Sequence, residues 1–337
     1  MSAPLPLPQL AFVTGATGFV GGAVARYLQN KNIPLRLLVR PHSDRTNLIG
    51  LRAEMVEGTL ADDKNLEKAL QGVDVLFHVA ADYRLWVPHP AAMYAANVDG
   101  TLNILRAAKR AGVGRIVYTS SVATLGYAKN NGALVDETAA PHLDHIIGHY
   151  KRSKFLAEEA VKKLIAEENI PAVIVNPSAP IGPGDIKPTP TGGMIVQAMH
   201  GGMPAYLNTG LNVVHADDCA AGHYLAYEKG VVGQRYILGG DNMDLKQILE
   251  IVAELTQQKA PTLSLSPSVL WPVAVGMEWV ARLFPKFSPA LTTDTLRMAR
   301  HKMFYSSAKA ERDLGYTHRP AQHAIADAIQ WFRERSY

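Results

Sequence analysis

Cysteine is almost missing from this sequence. Cys219 is the single one among 337 residues, so there is no internal disulfide and no thiolate cluster to hold a structural metal. It reads as a buried structural thiol. The N-terminus lacks a charged leading segment followed by a long apolar stretch, so export is not expected and a cytoplasmic protein is. No internal repeat occurs, and the one low-complexity tract, Pro4 to Pro8, is expected to be unstructured. Nucleic-acid motifs are absent too. A net charge of +4 suits an anionic small molecule, or an anionic membrane surface, better than nucleic acid. Long hydrophobic runs are also lacking. Leu270 to Met277 is apolar, but Pro272 breaks it and Glu278 and Arg282 follow, so it is too short to span a bilayer. It reads as a core helix of a lobe, as a greasy lid over an apolar substrate, or as a contact with a membrane surface.

What is present is an alternation of buried strands and helices. Ala11 to Val13, Pro34 to Val39, Val75 to Val79, Arg115 to Thr119 and Ala172 to Val175 are short apolar runs separated by helical segments. That pattern is expected of βαβ units in a doubly wound, Rossmann-type parallel α/β sheet. After Pro177 the density of proline and glycine rises. The expected division is therefore 9–177 for the sheet domain and 178–337 mainly for a smaller C-terminal substrate-binding lobe. Arg235 to Leu238 is expected to return a strand to one of the sheets.

Between the first strand and the helix beginning near Ala23 lie Gly15, Gly18 and Gly21. The first permits a tight turn, the second lets the backbone approach a pyrophosphate, and the third allows close helix–strand packing. The first gap is one residue wider than in the usual dinucleotide fingerprint, so the match is one of roles. Glycines can also make a plain tight turn, but the flanking strand and helix favour phosphates on the helix N-terminus. The second strand runs into Arg40, where an enzyme using NAD usually carries an acidic residue about 20 residues beyond the glycines. Arg40, with Ser43 and Arg45 behind it, suits a 2′-phosphate instead. Asp44 could still serve a ribose, so NADP(H) is favoured and NAD(H) stays open.

Proton-transfer groups follow. The fifth strand ends at Ser120-Ser121, and both hydroxyls are expected at the carboxyl end of the sheet, where such folds bind ligands. Tyr150 and Lys154 are four residues apart in a helical segment, so they share one face. A neighbouring ammonium, with the charge of an oxidised nicotinamide, is expected to lower the phenol's pKa into a usable range. His142, His145 and His149 have helix-compatible spacing for a metal, but they read as loop or surface histidines, and no metal is expected.

Together these residues resemble the extended short-chain dehydrogenase/reductases, the superfamily of nucleotide-sugar epimerases and dihydroflavonol reductases. The resemblance rests on Thr14–Gly21, His78-Val79-Ala80-Ala81, Asn97-Val98-Asp99-Gly100-Thr101, Ser120-Ser121 and Tyr150/Lys154. It continues through Asn176-Pro177, Ile181 to Gly184 and Val214 to Asp218, and so spans most of the chain. Asp82 to Trp86 and Lys302 to Ala310 are similar to the dihydroflavonol-4-reductase-like subgroup also named hopanoid-associated sugar epimerases. The resemblance implies Tyr150 as general acid/base, Lys154 on the nicotinamide ribose while lowering the phenol's pKa, and Ser121 orienting the substrate oxygen. It implies cofactor contacts at Gly15, Thr17, Gly18, Phe19, Val20 and Gly21. Further contacts are implied at Arg40, Thr59, Leu60, Ala80, Ala81, Asn97, Tyr150, Lys154 and Pro177. The sequence departs from the family at Glu57-Gly58-Thr59-Leu60, where a carboxylate for the adenine amino group is replaced by the weaker acceptor Thr59.

The expected function is an NAD(P)-dependent oxidoreductase moving hydride between nicotinamide and a secondary alcohol or ketone. The alternative is sugar epimerisation; a non-catalytic dinucleotide-binding regulator is disfavoured by the intact Tyr/Lys pair. Between Pro177 and Gly240 the cations are Arg235, Lys187 and Lys229, few for the diphosphate of a nucleotide sugar. Tyr83, Leu85 and Trp86 could overhang the nicotinamide pocket. An apolar or lipid-linked small-molecule substrate is therefore expected; a homodimer stays open.

Overall fold

The computed structural model describes residues 4–128, 130, 132–284, 287 and 289–337. Runs of two to six residues, apolar in most of the main sheet, form strands, and longer stretches between them form helices. In chain order these are β1 (Ala11–Thr14), α1 (Phe19–Asn30), β2 (Leu35–Val39), β3 (Ala53–Glu57), α2 (Asp63–Ala69), β4 (Val75–His78), α3 (Ala91–Tyr94), α4 (Gly100–Arg110), β5 (Arg115–Thr119), α5 (His149–Glu168) and β6 (Ala172–Pro177). Then come β7 (Ala179–Ile181), α6 (Pro190–Met199), β8 (Ala205–Leu207), β9 (Gly210–His215), α7 (Ala216–Lys229), β10 (Arg235–Leu238), β11 (Asp241–Asp244) and α8 (Leu245–Thr256). The chain ends with β12 (Leu263–Leu265), α9 (Pro267–Leu283), α10 (Thr293–Met298), β13 (Lys302–Met303), α11 (Ala308–Leu314) and α12 (Ala321–Arg333).

Among the described residues the main sheet has seven strands, ordered β10-β6-β5-β4-β1-β2-β3. All of its pairings are parallel, with Thr14 of β1 beside His78 of β4. Strand order reverses between β1 and β4, and open α/β sheets bind ligands at such a reversal, outside the carboxyl ends of the strands. One face is covered by α1 and α7, whose Val24, Leu28, Cys219 and Tyr224 join β-strand residues in one buried cluster. The other is covered by α2, α4 and α5 through Leu66, Ile104, Leu105 and Val161. A second sheet pairs β11, β9 and β13, with β7 also on β9. Its core unites α6, α8 and α12 through Ile195, Ile248, Ile325 and Phe332. The fold is thus a Rossmann-like α/β sheet carrying a smaller layered lobe, with α7 and β10 returning to the main sheet after the first lobe elements.

Three expectations are corrected. The proline-rich leader is docked, not unstructured: Leu5 N donates to Glu228 O at 3.0 Å and the Tyr227 hydroxyl to Pro6 O at 2.5 Å. The backbone groups that proline cannot pair internally find partners on α7. Pro272 does not break its segment either, since α9 runs through it. An exposed proline there forfeits one helical hydrogen bond whose carbonyl can face water. Nor is α9 a core helix, because only Ala274 and Ala281 are buried in it. No helix among the described residues is long and apolar enough to cross a membrane.

Candidate active site

β1 delivers the chain into the glycine turn at the strand-order reversal. Gly15 has φ +76°, and a Cβ there would lie 2.7 Å from Ala80 N, so the turn needs glycine both for conformation and for approach to the β4 exit. A Cβ on Gly21 would lie 2.2 Å from Gly15 O, which fixes how closely α1 packs on the turn. Gly18 caps α1 without a side-chain hydrogen bond, and the first turn, containing Phe19, Val20 and Gly21, carries no acidic residue. That leaves N–H groups and the positive helix end for an anion.

A buried polar chain holds the turn against β4. The Thr14 hydroxyl is 2.8 Å from His78 Nδ1, and His78 Nε2 is 3.0 Å from the Thr101 hydroxyl, which donates to Asn97 O at 2.8 Å. Thr101's proton being used, His78 carries its own on Nε2 and accepts from Thr14 at Nδ1. Thr14 Oγ1 in turn accepts from Val79 N and Ala80 N, both at 3.2 Å. Burial, then the Lys154 charge, pushes the His78 pKa down to about 3, so the ring stays neutral. Asn47, which sequence reasoning missed, ties the turn to the 182–184 loop by donating to Gly18 O (3.1 Å) and Gly184 O (2.9 Å). Nothing in its local sequence signals this.

At the β2 exit Arg40 is exposed, and no ion pair involves it among the described residues. Its neighbours are engaged: Arg45 lies 3.3 Å from Glu57, and Asp44 accepts from Thr46 N and its hydroxyl at 2.9 and 2.7 Å. Thr59 is exposed and Leu60 partly so, the Leu60 carbonyl accepting from Asn103 at 3.2 Å. Thr17, Ala80 and Ala81 are half-buried around the turn. Asn97 is buried and grips the Asp82 backbone, accepting from its N–H at 2.7 Å and donating to its carbonyl at 2.9 Å. Its amide also donates to the Ser153 hydroxyl at 2.9 Å. It therefore braces α5 against the β4 exit rather than facing open space.

β5 and α5 bring the proton-transfer residues together, with three differences from expectation. First, the Ser120 hydroxyl does not emerge at the sheet end. It turns inward to Glu158 Oε2 at 2.5 Å, beside Thr124 Oγ1 at 2.7 Å and Asn176 Nδ2 at 2.8 Å. Glu158 Oε1 meets Arg235 at 2.9 Å and Lys162 at 3.1 Å. These cations and hydroxyls hold the Glu158 carboxyl down at about 2 against its own burial. Second, Arg235 is thereby committed to α5 and, through the Glu137 and Ala139 carbonyls, to the loop before it. Third, in the protein without cofactor the Tyr150 pKa is raised: burial dominates, and Ser121 only partly opposes it, so any lowering has to come with the nicotinamide. Lys154 Nζ donates to Thr119 O at 2.7 Å and sits 3.4 Å from the Tyr118 hydroxyl. Burial lowers the Lys154 pKa to about 8.

β6 ends beside this pair at Pro177. There Asn176 Oδ1 and Ser178 Oγ are buried without a hydrogen-bond partner among the described residues. Orphaned polar atoms at a sheet's carboxyl end, together with an uncapped helix N-terminus and a glycine turn, fit a dinucleotide lying across the β1–β4 reversal.

Tyr150 also lines a narrow cleft with Leu85, Ile147, Gly148, Lys151, Thr292, Asp294 and Met298. α10 supplies its far wall and is fastened to α9, since Glu278 accepts from Thr293 N at 2.6 Å and from its hydroxyl at 2.9 Å. Trp271 of α9 stacks under Arg297 and Arg300, at 5.6 and 5.9 Å. The three histidines do not converge. His142 pairs with Asp144 at 3.0 Å, His149 with the Tyr94 hydroxyl at 3.2 Å, and no metal-holding group occurs among the described residues. Arg84 is committed to Asp82 at 2.5 Å.

Comparison with known proteins gives these sites a context. Residues 11–239 match the NAD dependent epimerase/dehydratase family. The chain is 42% identical, over 97% of its length and 95% of the other, to the "Putative dihydroflavonol 4-reductase" of Synechocystis sp.. It is 33% identical to the sterol demethylase protein B of Methylococcus capsulatus, covering 96% of this chain and 98% of that one. The crystal structure of gox2253 superposes with a TM-score of 0.87 at 53% identity, covering 97% of this chain and 98% of that chain.

Proposed function

The chain belongs to the NAD dependent epimerase/dehydratase family and is an enzyme, and on that premise we propose that it is an NADPH-dependent reductase of apolar ketones. The observation that carries this reading is that Tyr150, a phenol protonated at neutral pH, lines a cleft whose other walls include Leu85, Ile147 and Met298. A protonated acid beside the reacting oxygen serves net reduction, in which an alkoxide must be neutralised.

The nicotinamide, when bound, supplies the hydride to the substrate carbon. The protein's residues do the rest. The backbone of Gly15 to Gly21 and the α1 N-terminus hold the diphosphate, and Arg40 takes the 2′-phosphate. Asn176, Ser178 and Lys154 hold the nicotinamide end, while Ser121 orients the carbonyl oxygen. Tyr150 gives its proton to that oxygen as charge develops, and the Lys154 ammonium stabilises the phenolate left behind. Residues 178–337, apart from the segment returning to the main sheet, act as the substrate lobe. Leu85, Ile147 and Met298 form the apolar walls.

α9 extends the proposal to a location. Val269, Val273, Trp279 and Leu283 are 65, 53, 61 and 67% exposed on it, and Phe284 just past its end is 63% exposed, with Arg282, Arg297 and Arg300 nearby. An apolar helix face flanked by arginines suits the surface of an anionic membrane, from which an apolar ketone could enter the adjoining cleft. The buried Cys219 thiol fits a reducing compartment, so the proposed site is the cytoplasmic face. A second copy burying the same face is the competing arrangement.

Sugar epimerisation, with the hopanoid association, is the second reading and follows from the family's own name. Purified protein incubated with NADPH or NADH and a panel of apolar ketones, UDP-sugars and GDP-sugars separates the two. Cofactor oxidation with ketones and NADPH is expected. Tightly retained NAD, together with conversion of nucleotide sugars and no response to ketones, would overturn the reductase in favour of the epimerase.

A further inference from the structure

Next to Tyr150 on α5 is a cation that the reduction just described does not use. Lys151 lines the same cleft as Tyr150. Its Nζ donates to the Tyr127 hydroxyl at 3.0 Å, touches Met303 Sδ at 3.6 Å, and lies 5.0 Å above the Tyr127 ring. Tyr127 is itself held by stacking on His301 at a centroid distance of 4.4 Å. An ammonium has three N–H donors, and these contacts account for two. Among the described residues no carboxylate forms an ion pair with it. Arg235 and Arg84, by contrast, have Glu158 at 2.9 Å and Asp82 at 2.5 Å. A sheltered charge of this kind normally has a partner. Burial alone lowers its pKa to about 8, a strain that an arriving anion would relieve.

We propose that Lys151 binds substrate, its ammonium receiving a single carboxylate carried near the reacting carbon, so that the preferred ketones are oxo acids. The charge of the ligand follows from the opposite wall. Asp294 lines the same cleft, and its own cation, Arg297, is 3.4 Å away. One ammonium facing one carboxylate accommodates a monoanion, whereas a diphosphate would bring a second negative charge against Asp294. Tyr150 and Lys151, adjacent in the helix, then act on neighbouring atoms of one molecule: one protonates the carbonyl oxygen and the other anchors the acid.

This inference rests on the ketone-reductase reading, and the test separates the two. The full-length enzyme is assayed with NADPH on 2-, 3- and 4-oxo acids and on their methyl esters. In the wild type the best oxo acid should exceed its ester in kcat/KM by about tenfold or more, the scale of a charge-assisted hydrogen bond. Lys151→Met should raise KM for the acid by a similar factor, leave kcat within a few fold and leave the ester unchanged, while Lys151→Arg should restore most of the difference. Fluorescence titration with NADPH shows that each variant is folded. Equal wild-type kinetics for acids and esters, or a parallel loss on both in Lys151→Met, overturns the carboxylate site while ketone reduction stands. If the wild type reduces neither acids nor esters, the reductase reading falls, and this inference with it.

Discussion

Replacing Glu158 with glutamine should destabilise the protein by about 3 kcal/mol at neutral pH. The carboxylate is 1% exposed and accepts from Ser120, Thr124 and Asn176 on one oxygen while meeting Arg235 and Lys162 on the other. A glutamine must aim its NH₂ either at three donors or at two cations, so no orientation satisfies the site. The fall of the carboxyl from its ordinary 4.5 to about 2 corresponds to about 3 kcal/mol at 1.36 kcal/mol per pKa unit. With 337 residues and roughly 2.1 cal/mol/K of unfolding entropy per residue, that is a drop in Tm of about 4 °C. The pH dependence fixes the sign. Because the folded pKa is depressed, the contribution is fully present above the unfolded value of 4.5 and is lost as pH falls toward 2. Denaturant unfolding of both proteins from pH 7 downward should show the gap constant to about pH 5 and roughly halved near pH 3. A Tm change under about 1 °C, or a gap that widens on acidification, would refute the assigned network.

Tyr150→Phe should lower kcat by roughly 10²–10⁴-fold with NADPH binding nearly intact, measured by single-turnover kinetics and fluorescence titration; retention of more than about a hundredth of the activity would remove Tyr150 as the acid. Arg40→Asp should abolish or invert the NADPH preference, and equal wild-type affinities for NADPH and NADH would remove the basis for it. Trp279→Glu combined with Leu283→Glu should abolish co-sedimentation with phosphatidylglycerol vesicles without altering turnover of a water-soluble ketone. A concentration-dependent dimer that the same pair of substitutions dissolves, with no vesicle binding, would assign the α9 face to a second copy instead.

Much of the fold was legible because its signals are local. Apolar runs punctuated by glycine and proline mark β1, β2, β4, β5 and β6, and the four-residue spacing sets Tyr150 and Lys154 on one face of α5. The unread parts are long-range. Glu158, four residues beyond Lys154, looks like any solvated helix glutamate. Its burial arises only because β5, β6 and β10 bring Ser120, Asn176 and Arg235 to one point. Asn47 likewise acts on residues distant in sequence, Gly18 and Gly184. The leader docks because a tyrosine of α7 happens to lie beside it. For α9, composition showed apolarity but could not show which face is covered, and the structure leaves most of that apolar surface exposed.

Spacing also cannot supply dielectric, and here that decides the chemistry. A tyrosine and a lysine one helical turn apart invite the expectation of an ammonium pulling the phenol's pKa down. Burial works on both groups together. It raises the phenol, because a phenolate would be poorly solvated, and lowers the ammonium to about 8 for the same reason. The Lys154 charge is moreover directed at Thr119 O, at 2.7 Å, rather than at Tyr150. Near neutral pH the site therefore holds a neutral acid beside a cation still charged but close to losing its proton. Such a pair resists forming phenolate in advance and stabilises it only once negative charge has begun to pass from substrate oxygen to tyrosine. On the proposed reading, that suits a step in which a ketone is consumed and an alcohol formed. The same burial leaves Lys151, one residue from the phenol and lining the same cleft, as a second under-solvated cation. Two lysines of similar chemistry thus divide by what each touches: Lys154 the backbone of β5, and Lys151, whose residue lines the cleft, the Tyr127 hydroxyl.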